Sequence, residues 1–258
     1  RSCLDCRIPC LHNRRTVINY NTQKMGNNTI LYSKRTKVAE LIAADNDLLS
    51  ILQRLGIRLG FGEITVDEMC RRYNLSTELF LIICNIYSKH DYTPHTGSLQ
   101  QSDITHVTNY LLASHRYYKE VCFPQLHEKI HRLVEELDAV NRKLIDKFYD
   151  DYDSEINNHF MFEESIVFPY IEKLSAHSKE NTTGFRISKF EENHSNVGEK
   201  LNDLKNIIIK YLPEEYSSPL RFEILKDIYD IEKDLQKHSL IENRLLVSLV
   251  QKIEKSYE

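Results

Sequence analysis

Glycine and proline are scarce in this chain of 258 residues, which contains seven of the first and six of the second. That scarcity, together with abundant aliphatic and charged residues, predicts an all-helical protein. No run of about 18 apolar residues occurs, so no segment is expected to span a membrane. No positively charged segment leads into an apolar one near the beginning, so no signal peptide is expected.

An excess of positive charge is also missing. The formal net charge of −4 argues against a nucleic-acid binder that relies on bulk charge. The cysteines do not resemble a disulfide framework, because three crowd the first ten residues and three are scattered through helical segments: Cys3, Cys6, Cys10, Cys70, Cys84 and Cys122. We therefore expect a cytoplasmic protein, with neither nucleic acid nor membrane as a partner. A homodimer is compatible with the sequence, which does not fix the oligomeric state.

The first part of the chain differs from the rest. Cys3, Cys6, Cys10 and His12 could bind zinc, but no second ligand pair at finger spacing follows them. We expect residues 1–35 to be a disordered tail, with Met25 as the native start.

Residues 36–90 are predicted to form a small domain of three helices. Apolar residues recur at helical spacing from Val38 to Leu55, and Gly56 ends that helix. Thr65 and Glu68 form a capping box for the second helix, and Ser76 can cap the third. Residues 91–97 are predicted to be a linker.

Residues 98–258 are predicted to form an up-down four-helix bundle, with Pro124 bending its first helix. Each helix carries an apolar stripe, which should supply most of the stabilisation. The four expected helices are A from about Ser102 to the mid-130s, B from about Asn141 to Leu174, C from about Ile187 to Leu212, and D from about Leu220 to near Ser256.

Six residues of this bundle repeat one pattern. A histidine is followed 44 residues later by a His-x-x-x-Glu pair, and the pattern occurs twice: His115 with His159 and Glu163, then His194 with His238 and Glu242. Residues that face each other in a helical hairpin are equally far from its turn, so the spacing predicts turns near residues 137, 178 and 216. His-x-x-x-Glu places both side chains on one helix face. Four inward imidazoles and two inward carboxylates predict a dinuclear metal site, with iron ahead of manganese or zinc.

The neighbouring polar residues leave alternatives open. Tyr118 lies on the ligand face and could donate a hydrogen bond near the metal or merely line the core. Glu164 and Glu191 could support the ligands, although a solvated helix face is the favoured interpretation for each. His127 and His131 could hold a metal elsewhere, but the helix rise puts them roughly 18 and 24 Å beyond His115, so a surface position is favoured.

The ligand set, with His159-Phe160-x-x-Glu163-Glu164 leading to Phe168-Pro169-Tyr170-Ile171, resembles the hemerythrin-like HHE cation-binding domain. Because a small helical domain precedes it, residues 36–258 resemble the Repair of Iron Centers family of di-iron proteins, which restore damaged iron–sulfur clusters. The resemblance implies two iron ions, joined by an oxo or hydroxo bridge. It makes the four histidines terminal ligands and Glu163 and Glu242 bridging carboxylates. Oxygen carriers use a fifth histidine, where this chain has Gly198.

One motif of that family is missing. Its N-terminal domain commonly carries Cys-Cys-Gly-Gly after the first helix, whereas this chain has Gly56-Ile-Arg-Leu-Gly-Phe-Gly-Glu63. The thiol chemistry assigned to that pair therefore does not carry over.

The resemblance implies a role in repairing iron–sulfur clusters damaged by nitrosative or oxidative stress, with the damaged proteins as clients. The alternative is a hemerythrin-like sensor or scavenger of O2 or NO that signals through a partner. A third hypothesis is a redox enzyme that reduces NO or peroxide. The sequence contains no hydrolytic or transferase motif.

Overall fold

The computed structural model describes residues 32–89, 92–176, 185–193, 199–216 and 218–256. Most of the tail expected over residues 1–35, including the cysteine-rich stretch and Met25, lies outside the described residues. Tyr32 is buried, and its hydroxyl lies 3.2 Å from that of Ser88, so the chain already packs on the N-terminal helices there. Within the described part, the β pairing consists of one isolated bridge between Lys37 and Thr65.

The N-terminal unit consists of four helices rather than the predicted three. They are α1 (Val38–Ala44), α2 (Leu48–Arg54), α3 (Val66–Arg72) and α4 (Thr77–Ser88). The break between α1 and α2 falls at Asp45, which is extended. Its carboxylate accepts hydrogen bonds from the Asp47 amide and from the Ser88 hydroxyl of α4. These bonds hold the backbone away from helical geometry, although the apolar stripe continues across the break.

The predicted caps of this unit are confirmed. Gly56 ends α2 with a φ of 67°, which lets the Ile57 amide reach the Leu52 carbonyl. Thr65 and Glu68 form the capping box of α3. The Ser76 side chain accepts from the amide of Leu79 and caps α4.

The predicted bundle helices A, B and D are present as composites of shorter segments, and helix C is described on either side of residues 194–198. Helix A comprises α5 (Asp103–Tyr117), π1 (Tyr118–Cys122) and α6 (Phe123–Glu136); helix B comprises α7 (Ala139–Phe162), π2 (Glu163–Val167) and α8 (Phe168–Ser175); helix C comprises α9 (Ile187–Asn193), α10 (Glu199–Asn206) and π3 (Ile207–Tyr211); helix D comprises α11 (Pro219–Ile241), π4 (Glu242–Leu246) and α12 (Val247–Ser256). The turns near 137 and 216 are confirmed, since α7 begins at Ala139 and a 3₁₀ turn spans Glu214–Tyr216. The turn expected near 178 lies outside the described residues.

Each composite helix contains a π segment, in which one extra residue is accommodated within the turn. The Phe123 amide donates to the Tyr118 carbonyl, and the Phe168 amide donates to that of Glu163. Pro124 and Pro169 follow directly. Proline has no amide hydrogen and its ring crowds the preceding turn, so a wider turn before it relieves both problems. The bend expected at Pro124 thus takes the form of a π segment that ends just before it.

The apolar core runs without a break from the N-terminal unit into one half of the bundle. Its members include Leu52 of α2, Ile83 of α4, Leu111 of helix A and Leu246 of helix D. Cys70 and Cys84 are fully buried in this core. A second core cluster fills the other half of the bundle. The predicted site residues that the structure describes lie on the bundle helices between these two apolar regions. None of the described helices combines the length and the apolar character needed to cross a membrane.

Candidate metal centre

Four of the six predicted ligands converge inside the bundle. His115 comes from helix A, Glu163 from helix B, and His238 and Glu242 from helix D. One ligand atom of each lies within 4.8 Å of the corresponding atoms of the other three. All four side chains are buried, and both glutamates are fully inaccessible to solvent. The structure thus brings together four of the six side chains that the hairpin argument placed at one level of the bundle.

The contacts within the cluster pair each carboxylate with imidazoles. Glu163 presents its two oxygens to two different rings, with Oε2 3.1 Å from His115 Nε2 and Oε1 3.1 Å from His159 Nε2. Glu242 Oε1 lies 2.9 Å from His238 Nε2. The Nε2 atoms of His115 and His238 are 3.3 Å apart, so the two rings point towards the same small volume.

The local sequence explains why these atoms converge. On helices B and D the glutamate follows its histidine by four residues, which is about one helical turn. Each glutamate is also the first residue of a π segment, π2 for Glu163 and π4 for Glu242. The wider turn begins where the ligand stands, and π segments often occur at functional sites for this reason.

The orientation of His115 is set by Glu164. The Glu164 carboxylate lies 3.0 Å from His115 Nδ1 and also accepts from Lys119 at 2.8 Å. The hydrogen bond from His115 lowers the pKa of Glu164 to about 2, aided by Lys119 and against partial burial. An ionised carboxylate can only accept, so Nδ1 carries a hydrogen, and Nε2 is the ring nitrogen that faces the cluster. The favoured expectation of a merely solvated Glu164 was wrong for this residue.

The donor set fits a metal ion. Two carboxylates are fully buried within a few ångströms of one another, which costs several kcal/mol for each charge unless a cation compensates it. Burial opposes a positive charge on His115, but the hydrogen bonds with Glu163 and Glu164 outweigh it and raise the pKa of the imidazole. The site thus favours positive charge at this Nε2. A divalent ion held by imidazole and carboxylate supplies that charge, and iron, manganese and zinc all accept such ligands.

Aromatic rings enclose the cluster. Phe160 stacks on the His115 ring with centroids 4.2 Å apart, and the Tyr118 ring meets His238 edge-on at 5.7 Å. The Tyr118 hydroxyl donates to Asp234. Burial and the Asp234 carboxylate raise the pKa of this phenol well above its usual value, so it stays protonated. Tyr118 therefore packs against a ligand while its hydrogen bond leads away from the centre.

The remaining predicted residues fall into two groups. His159 contacts Glu163 from the edge of the four-residue cluster. His194 lies outside the described residues, as does the side chain of Glu191, so their predicted roles stay predictions. His127 and His131 are exposed, the first stacked on Tyr149 and the second near Glu135, in agreement with the predicted surface positions.

Sequence reasoning missed two supports of the site. Lys119 is one turn beyond His115 on helix A and neutralises Glu164. Asp234 is one turn before His238 on helix D and receives the Tyr118 hydroxyl. Both lie four residues from a ligand on the same helix face, so extending the periodicity by one turn on either side of each histidine would have found them.

Comparison with known proteins bears on the same segment. The family model of the hemerythrin HHE cation-binding domain matches residues 106–250, more than half of the chain. The match covers all six predicted ligands. A search of curated proteins and a search of solved structures found no match.

Proposed function

The chain belongs to the hemerythrin HHE cation-binding domain family, and on this premise we propose that it is a cytoplasmic di-iron protein that helps to repair iron–sulfur clusters damaged by nitrosative or oxidative stress. The observation that carries the proposal is the buried convergence of His115, Glu163, His238 and Glu242. The small helical unit before the bundle supports it further, because that arrangement resembles the Repair of Iron Centers family.

In this proposal His115, His159, His194 and His238 hold two iron ions as terminal ligands. Glu163 and Glu242 would supply carboxylate oxygens to the same ions, and the two oxygens of Glu163 lie beside two different imidazoles. Bound iron would supply reversible binding of NO or oxygen, a change of oxidation state, or a releasable metal ion.

The protein residues supply position and shielding. Glu164 keeps Nδ1 of His115 protonated, so that Nε2 is free to bind. Phe160 covers one face of that ring, and the complete burial of both glutamates keeps bulk water away from the carboxylates. Lys119 balances the charge of Glu164, which otherwise would add a third carboxylate near the centre.

The first test is elemental analysis with a visible spectrum on the full chain purified without added metal. Two irons per chain with oxo-bridged absorption are expected. Zinc, or no metal after reconstitution with iron, would overturn the di-iron proposal.

Repair is tested separately by adding the iron-loaded protein to an iron–sulfur dehydratase inactivated with NO. Recovery of dehydratase activity is expected with the parent and with the exposed control Glu172→Gln, and not with Glu242→Gln. A di-iron parent that restores no activity would refute repair while leaving the metal centre intact.

A second candidate is a sensor or scavenger of O2 or NO that signals through a partner. The observation that favours it is the link between Arg54 of α2 and Asp234 of helix D, four residues before His238. A shift of helix D on ligand binding would pass directly to the N-terminal unit. Reversible binding of NO or O2 without any reactivation of the dehydratase would select this alternative.

A further inference from the structure

A cleft of about 480 Å³ lies between α2 and helix D, with residues of π1 at its floor. This volume is in the range of pockets that hold small organic molecules. The cleft is separate from the metal cluster, since none of the predicted ligands lines it. A ligand bound in this cleft would therefore occupy a different site from the metal.

The side of the cleft formed by helix D is a charged face. Lys226, Asp230, Lys233 and Lys237 follow one another at intervals of four, three and four residues, which puts them on one face of the helix, with Asp234 next to Lys233. Two of these charges have partners across the cleft, because Asp234 pairs with Arg54 and Lys233 pairs with Asp47. The two pairs join helix D to α2 at the walls of the cleft.

Lys237 is the unusual member of this face. Its side chain is only 9% exposed and lines the cleft, yet it forms no ion pair or hydrogen bond with any residue that the structure describes. The stem is buried while the ammonium itself reaches the space of the cleft, as a lysine stem normally extends to bring its charge into water or to an anion. Asp230, the remaining carboxylate of the face, stands roughly 10 Å along the helix by the usual rise. The cleft thus presents an ammonium without a direct ion pair, which the carboxylates of Asp45 and Asp47 attract only at longer range.

The floor of the cleft is aromatic and rigid. The Arg54 guanidinium donates to the Tyr87 and Tyr110 hydroxyls at 2.5 and 3.2 Å and lies over the Tyr117 ring at 4.7 Å. Its Nε is buried and has no hydrogen-bond partner among the described residues. Leu49 and Ile231 add apolar surface to the walls. A ligand would meet a donor-rich floor beside rings and aliphatic side chains.

We propose that this cleft binds a small organic anion, a carboxylate or phosphate attached to an apolar or aromatic body. Its charged group pairs with Lys237, and its body packs against Leu49 and Tyr117. The class of ligand is inferred from the unpaired ammonium of Lys237 and from the shape of the cleft. It depends neither on the net charge of the protein nor on the metal.

The test is titration calorimetry on the full chain, in metal-free and metal-loaded forms, with phenyl phosphate, benzoate, inorganic phosphate and neutral phenol as probes. We expect one-to-one saturable binding of phenyl phosphate or benzoate, weaker binding of inorganic phosphate, and none of phenol. Lys237→Met keeps the aliphatic stem and should weaken binding at least tenfold. Lys210→Met, at an exposed lysine of π3, is the matched control and should bind like the parent.

A second variant tests the cleft independently, in case Lys237→Met does not fold. Gln53 is exposed at the cleft, so Gln53→Trp should fill the cavity and abolish binding without touching Lys237. Absence of saturable binding by both organic anions overturns the proposal, as does equal affinity in the parent, Lys237→Met and Gln53→Trp. Binding of inorganic phosphate as tight as that of phenyl phosphate overturns the organic part. Because the metal-free form is also titrated, each of these outcomes is distinguishable from failure of the di-iron assignment.

Discussion

At the scale of single residues, the candidate centre is built from pairs in which one partner sets the chemistry of the other. Glu163 faces two imidazoles with its two oxygens, and Glu164 beside it fixes the ring of His115. Two adjacent glutamates thus perform different tasks, because consecutive helical residues point about 100° apart. Glu163 points into the fully buried cluster, and Glu164 reaches the half-exposed Lys119.

Replacing Glu163 by alanine should remove most of the bound metal. The change deletes a carboxylate that contacts both His115 and His159, and the bundle should stay largely helical because apolar burial holds it together. Elemental analysis gives the metal content and far-ultraviolet circular dichroism gives the helicity. Glu172→Ala, at an exposed position of the same helix, is the control and should keep its metal. A Glu163→Ala protein with the full parental metal content would contradict the ligand assignment.

Replacing Glu164 by glutamine should weaken metal binding without abolishing it. The amide keeps the size of the side chain but no longer offers a charged acceptor to His115 Nδ1. Loss of such a support typically costs a factor of about 10–100 in metal affinity. Competition with a chelator measures that affinity, with Glu172→Gln as the matched control. An unchanged affinity would mean that packing by Phe160 alone orients the His115 ring.

At the scale of helices, the sequence predicts the turns between helices well, but it predicts the π segments and breaks within helices poorly. The equal spacing of histidines places turns at 137 and 216, because a hairpin brings residues equally far from its turn together. The π segments are not predicted from the sequence. One extra residue in a turn hardly changes the pattern of apolar residues along the helix, because the apolar face is several residues wide. The break at Asp45 is hidden for a different reason. It depends on Ser88, 43 residues away, and local periodicity carries no information about that contact.

Gly56 marks a helix end that the sequence does predict. Its φ of 67° is strained for a residue with a Cβ, although nothing lies within 4 Å of the place where that atom would be. Gly56→Ala should therefore cost about 1–2 kcal/mol through backbone conformation alone. Thermal melting should show a Tm lower by a few degrees. Gly97→Ala is the control, since that glycine has neither positive φ nor close neighbours and should lose no stability. Equal melting of both variants would contradict the backbone argument.

At the scale of the whole molecule, the N-terminal helices and the bundle share one apolar core. The domain boundary predicted at residues 91–97 stays a prediction, and the buried side chains of α2 and α4 pack with those of helices A and D. Helix D carries His238 and Glu242 and also the charges that bind α2. The unit before the bundle is therefore connected to the candidate metal centre through helices A and D.

Two ion pairs join α2 to helix D, and their different burial predicts different energies. Arg54 and Asp234 have side chains 0% and 17% exposed, whereas Lys233 and Asp47 are 57% and 40% exposed. Asp234→Ala leaves a buried guanidinium without its carboxylate and removes the acceptor of the Tyr118 hydroxyl. The cost should be about 3–5 kcal/mol. Lys233→Ala breaks the exposed pair between the same two elements and should cost no more than about 1 kcal/mol.

Chemical denaturation of the metal-free full chain measures both changes without any contribution from metal binding. Because the core is shared, parent and variants should each unfold in one transition, with the midpoint of Asp234→Ala lowered much more than that of Lys233→Ala. The double variant Arg54→Met/Asp234→Ala removes the stranded charge and should recover part of the loss, which a purely steric effect at Asp234 would not allow. A separate early transition in the parent would show that the N-terminal helices unfold on their own. Equal, small losses in the two single variants would show that the buried pair does not hold α2 to helix D.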